Sequence, residues 1–311
     1  MAKKKEEVVR GAEVTSDGSR AINKFRISDA VMMLIIGLLC ATCVIPFIHL
    51  AAKSISGNTA VMAKQVLLIP KDINFEAYIS IFKDGSMVKS MLYSVFVTGI
   101  FTLLGMLVCT CAAYPLSKKR LKGKYVLTFL LMFPMYFSAG LIPTYMLLGK
   151  NGLNMLDTMW VLILPLIYSP YNMLIMKSYF QSSIPDSLEE SAFLDGATNF
   201  QILWHIVLPL SKPIIATLSL FYAVGRWNAY ADNKYYIKTD SLKMIQYKLA
   251  QMVSSASEAQ TTTLSEAAAV TSTPEVLQAA AIMFVTIPII CIYPFVQKYF
   301  VKGAMIGAVK G

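Results

Sequence analysis

Charge is scarce in this sequence. Only 15% of its 311 residues are Asp, Glu, Lys or Arg, against about a quarter in a soluble domain. No long apolar run holds one of the four near its middle. A charge buried at that depth costs at least ~3 kcal/mol and marks an ion or proton route. Its absence argues against a proton- or sodium-coupled carrier, although uncharged carbonyls can bind sodium. A Gly-x-x-x-x-Gly-Lys-Ser/Thr phosphate cradle is missing too. So is any serine-nucleophile signature. There are two histidines and five cysteines, without convincing metal spacing. Cys40 and Cys43 have the separation of a redox or zinc pair, but no second pair or histidine cluster accompanies them. Cys109, Cys111 and Cys291 also lie inside apolar runs and read as packing residues, and His49 as an interfacial one. The sequence therefore predicts no enzyme, no catalytic residue, no metal and no cofactor of its own.

What is abundant is apolar length. Hydrophobic residues make up 56% of the chain. Six runs, at about 28–50, 88–115, 125–148, 158–180, 209–230 and 276–298, approach the ~20 residues needed to cross the hydrocarbon core. The expected fold is an all-α integral membrane protein with six transmembrane helices. Prolines inside the runs are tolerable because neighbouring helices re-satisfy the freed carbonyls.

The net charge of +10 sits at the ends of the runs, which points to membrane orientation rather than nucleic-acid binding. Lys and Arg crowd the tail 1–26, the connection Ser117–Lys124 and the C-terminal tail with Lys298, Lys302 and Lys310. All three fall on one side of a six-span chain, and the positive-inside rule makes that side cytoplasmic. Both termini are then cytoplasmic, in a multi-pass membrane protein. Residues 1–26 read as a cytoplasmic tail and 27–311 as the membrane domain, with a long outer loop at 231–275. In that loop Ser241 can cap a helix carrying Ile245, Leu249 and Met252 on one face, and Ser254–Thr273 reads as a loop. The helix is open to two readings, a partner contact or a helix lying on the membrane surface.

The inner connection 182–210 is the informative one. A plain connector needs only a few residues, whereas this one has the signals for two capped helices and a turn. Ser187 with Glu190, or Asp186 with Glu189, offers a capping box; Gly196 supplies a left-handed terminator; Thr198 with Gln201 makes another box; Pro209 stops the second helix. Taken alone, this is either a structured loop or a docking element.

Glu190-Ser191-Ala192, Asp195-Gly196-Ala197, Ile206, Leu208 and Pro209, flanked by Ile184-Pro185 and Leu210-Ser211-Lys212-Pro213, resemble the EAA coupling loop of permease subunits of ATP-binding-cassette (ABC) importers. Ser191 stands where that family usually has alanine. Arg226-Trp-Asn-Ala-Tyr230 and the stretch Gln297–Gly311 resemble segments of the carbohydrate-uptake, maltose-type branch, so that the resemblance spans nearly all of 28–311. It implies a type I transmembrane domain in a bacterial cell (inner) membrane, working with a second permease, as a heterodimer, two ATP-binding-cassette subunits that bind ATP-Mg, and an extracellular or periplasmic sugar-binding protein. It also implies that Glu189, Glu190, Ala192, Phe193, Asp195, Gly196 and Pro209 belong to the ATPase-coupling element.

Sugars stack on aromatic rings and bond to amides, which makes Tyr168, Tyr171, Asn172, Trp227 and Asn228 candidates for the substrate path. An interfacial aromatic belt would use the same residue types, and Tyr230 fits that belt better. The expected function is translocation of a sugar, with an oligosaccharide favoured. A permease for another solute, such as a polyamine or peptide, and a non-transporting membrane scaffold are the alternatives.

Overall fold

The computed structural model describes residues 27–262 and 273–308, so the tail 1–26 lies outside the described residues. Every regular element among the described residues is helical. The chain divides into two compact units, one ending at Ile48 and the other beginning at His49.

Helix α1 (Ile27–Ser54) runs across that division. At 1.5 Å per residue its 28 residues reach ~42 Å, ample for a bilayer. In the first unit, Val31, Leu34, Leu38 and Phe47 are all exposed. A helix apolar on every side suits lipid rather than water.

The second unit begins with the end of α1, then α2 (Asn58–Met62), α3 (Glu76–Asp84) and α4 (Ser86–Ser117). It continues with α5 (Lys124–Tyr136), α6 (Leu141–Leu148), α7 (Pro170–Ser183), α8 (Asp186–Leu194), α9 (Asn199–Ile202), α10 (Leu208–Leu210) and α11 (Lys212–Asn228). It closes with α12 (Ala231–Tyr236), α13 (Ile245–Thr262) and α14 (Pro274–Ala308). Helix α4 is the axis of this unit. Val97, Phe101, Gly105, Cys109 and Ala113 recur every fourth residue along it, and the four with side chains are buried. That ridge packs against Met173, Met176 and Phe180 of α7 and against Leu218 and Tyr222 of α11. At Gly105 a Cβ would stand 2.7 Å from the Tyr222 ring, so only glycine allows this approach. A second cluster joins Ala52, Ile81, Met87, Trp227, Ile245 and Ala280.

Among the described residues three helices, α1, α4 and α14, are long and apolar enough to cross a membrane, and the number rises to six only if each of three bent pairs counts as one span. The expected run at 125–148 is α5 and α6, which meet at 109° around Gly140 (φ +85). The run at 158–180 begins as two 3-10 turns, then bends 50° into α7, where Ser169 caps the helix and Pro170 opens it. The helices of 199–210 turn through 83° into α11.

Two outer-loop expectations need correction. The helix α13 starts at Ile245, and the Met244 carbonyl takes the amides of Tyr247 and Lys248, so Ser241 does not cap it. Instead of a loop from Ser254, the helix continues to Thr262; its Ala, Glu and Gln residues are good helix formers. Residues 263–272 lie outside the described residues.

Candidate coupling elbow and solute path

Helix α8 begins at Asp186 behind Pro185, which has extended backbone and no side-chain cap. Neither expected capping box forms, and for Asp186 with Glu189 other partners take the carboxylates. Asp186 accepts from Lys119 Nζ at 2.7 Å, and Glu189, mostly buried, pairs with Lys118. The Lys119 ammonium holds the Asp186 carboxyl below its ordinary range, and Asp186 in turn raises Lys119. Arg120 donates to the Asn199 side chain and lies over the Phe193 ring, 4.0 Å from its centroid. Gln181 Nε2 donates to the Ser117 carbonyl at 3.2 Å. The basic 118–120 run therefore clamps both short helices.

The turn closes as the glycine suggests. Gly196 has φ +82. Its amide donates to the Phe193 carbonyl at 3.0 Å, and the Ala197 amide to the Ala192 carbonyl at 2.9 Å. Those two bonds make a Schellman motif. No atom lies within 4 Å of a Cβ built there, so the glycine is needed for backbone angle rather than space. Thr198 and Gln201 form the reciprocal capping box that the sequence predicts.

Pro209 does not stop the second helix. The backbone widens into a π-turn at Leu203–Val207, accommodates Pro209 inside α10, and breaks at Ser211. A wider turn re-spaces the carbonyls that a proline would otherwise orphan.

Of the predicted coupling residues, Glu189, Ala192 and Phe193 face inward, whereas Glu190, Asp195, Gly196 and Pro209 lie at the surface or its margin. The sequence reading missed an exposed apolar face. Leu194 is 89% exposed, Phe200 71% and Trp204 60%, and Leu188 is exposed too. Phe200 and Trp204 stack with centroids 6.4 Å apart. The only signal in the sequence was aromatic residues four apart in a short helix that also needed its apolar face for the core.

The solute-path candidates are not gathered into one cavity. Tyr168 donates to the Leu131 carbonyl at 2.8 Å. Asn172 is buried at the start of α7, and Trp227 is buried in the second cluster. Tyr171 and Asn228 are exposed. A separate cavity of about 630 Å³ lies against α5, lined by Tyr125, Phe129 and Phe133 with Lys124 and Lys177.

The far end of α4 carries a different structure. Arg226 is the largest fully buried side chain among the described residues. Its guanidinium pairs with Asp232 at 2.5 Å, donates to the Leu162 carbonyl at 2.8 Å and lies 5.7 Å from the Phe101 ring centroid. Asp157 accepts from the amides of Lys238 (2.9 Å) and Thr239 (2.8 Å) and from the Thr239 hydroxyl (2.7 Å). Those bonds hold its carboxyl below the ordinary range. No group of three or more metal-ligating side chains occurs among the described residues.

A helical unit wrapped on one long apolar axis, with a clamped elbow at one end and a pinned cap at the other, is the architecture of a membrane permease. The chain belongs to the family described as binding-protein-dependent transport system inner membrane components, whose model matches residues 123–305. It is 42% identical over 289 residues to the polygalacturonan/rhamnogalacturonan transport system permease protein YtcP of Bacillus subtilis (strain 168), covering 93% of this chain and 100% of that one. It is 37% identical to protein LplC of the same organism, covering 92% and 96%. Among solved structures it is similar to a bacterial ABC transporter involved in the import of the acidic polysaccharide alginate. There the TM-score is 0.79 at 30% identity, covering 89% of this chain and 99% of that one.

Proposed function

We propose that this chain is one permease subunit of an ATP-driven, binding-protein-dependent importer of oligosaccharides, and that its cargo is acidic. The cargo class rests on the relatives, one named for polygalacturonan and rhamnogalacturonan and one involved in alginate import. Residues 27–311 are the transmembrane domain, with 182–210 as the coupling loop and 231–275 as the outer loop. ATP hydrolysis occurs on a separate subunit pair, a second permease completes the path, and an external binding protein delivers the sugar. Both termini are cytoplasmic. No cofactor is held by this chain itself.

The observation that supports the coupling role best is the exposed face of Leu188, Leu194, Phe200 and Trp204 on an elbow locked by a Schellman turn. Water gives exposed apolar side chains no favourable partner, and Glu190 and Asp195, exposed on the same elbow, suit charge-assisted bonds to a basic groove. Tyr168, Tyr171, Asn172, Trp227 and Asn228 remain the proposed path residues.

Gly196→Asp tests the elbow. A non-glycine residue in left-handed backbone costs roughly 1–2 kcal/mol, and Asp adds charge beside the docking face. The variant is expected to insert at normal abundance, to lose co-purification of the ATPase subunit, and to take up no oligosaccharide. Normal ATPase association together with normal uptake would overturn the coupling role.

A further inference from the structure

We infer that the cavity where α4, α12 and α13 meet is a subsite for one unit of an anionic sugar, entered before the membrane-spanning path. The inference rests on the importer reading above. The cavity has a volume of about 700 Å³ and is lined by Ser86, Tyr230, Lys234, Tyr247, Lys248 and Gln251, with Asp84 at its edge. That is room for one or two monosaccharide units with their water.

Its place in the fold assigns it to the outer face. Glu189 of the elbow pairs with Lys118, immediately after the last residue of α4, while Ser86 is the first residue of the same helix. The 32 residues between them span ~48 Å. If the elbow meets an ATPase inside, the cavity opens outside.

Its chemistry matches a uronic acid. Lys248 is committed within the protein, donating to Ser86 Oγ at 2.9 Å and to Asp240 at 2.6 Å. The Asp84 carboxylate accepts the Ser86 amide at 3.3 Å. Lys234 is different: it has no ion pair among the described residues, and its ammonium lies over the Tyr235 ring, 5.7 Å from the centroid. It lines the cavity as an uncommitted cation. Tyr230 and Tyr247 present phenol rings on which a pyranose face can stack, and Gln251, which donates to the Tyr247 hydroxyl at 3.3 Å, offers an amide for ring hydroxyls. A carboxylate on Lys234, a ring on Tyr247 and hydroxyls on Gln251 are the contacts a uronic acid residue needs.

The test uses the complete transporter in nanodiscs without its binding protein. The probes are trigalacturonate and its methyl ester, which removes the charge and keeps the shape. Saturation-transfer NMR reads contact with each. Wild type is expected to contact trigalacturonate more than the ester. Lys234→Gln lowers apparent affinity for trigalacturonate about tenfold, to the level of the ester. Lys234→Arg keeps the preference, and Tyr247→Ala loses both probes. Equal signals for trigalacturonate in wild type and Lys234→Gln, or no signal in wild type, would overturn the subsite. So would a Lys234→Gln transporter that contacts trigalacturonate as wild type does but, in a separate pull-down, no longer captures the binding protein, because the cavity would then be a protein contact. Failure of the importer reading is separate: wild-type cells would then take up no oligosaccharide at all.

Discussion

The two ends of α4 solve opposite problems. At the elbow, the clamp is made of flexible basic side chains on a surface loop: Lys119–Asp186 is largely exposed, and only Lys118–Glu189 is shielded. The face beyond is left apolar and uncovered. At the cap, the pin is a buried guanidinium whose partners come from three separate segments, Leu162, Asp232 and Met244. An exposed pair contributes about 0–1 kcal/mol and yields easily. Breaking a buried pair from one side leaves an uncompensated charge. One end can therefore be re-gripped by a partner, while the other stays fixed to α11.

Removing Arg226 should have the largest effect. Arg226→Met strands Asp232 and is expected to destabilise the fold by about 3–5 kcal/mol, read as a lowered melting temperature of the detergent-purified protein. Adding Asp232→Leu should recover most of the loss, since an apolar pair of similar volume often matches a buried ion pair. A double variant no more stable than the single one would show that the cap is not pinned by this charge pair.

Next comes Glu189→Gln. It leaves the Lys118 ammonium short of its counter-charge, at roughly 1–3 kcal/mol, with the larger share of the change seen as proteolysis of the elbow rather than global unfolding. Global melting that falls as far as in Arg226→Met would erase the distinction between the ends.

The smallest effect belongs to Asp157. Its carboxyl is lowered by the Thr239 and Lys238 bonds, so its contribution is complete above the ordinary value of 3.8 and disappears as pH falls through the lowered one. The melting-temperature gap between wild type and Asp157→Asn should stay constant from neutral pH down to about 5 and close in stronger acid. A gap that widens on acidification would reverse the sign.

Much of the elbow was legible because its rules are local. Gly196 and the Thr198–Gln201 box depend on neighbours within three residues, and both appear as the pattern demands. The first box failed for a non-local reason: Lys118 and Lys119, some 70 residues away in sequence, outcompete backbone amides for Asp186 and Glu189. Pro209 misled because a π-turn four residues upstream prepares room for it. The positions of the apolar runs anticipate the long helices, but the 109° and 83° bends do not follow from hydropathy, which measures length without direction. Arg226 stands beside Trp227 and Asn228 in the sequence, yet nothing local says that Asp232 folds back onto it.

The missing side chain at Gly105 has a mechanical consequence. With the Tyr222 phenol seated in the notch it leaves, α11 cannot slide far along α4 without driving that ring into Phe101 or Cys109, the buried neighbours one turn away on the same face. The two helices are thus keyed, like a shaft in its collar. Sliding of α11 along α4 is therefore the motion this contact resists most.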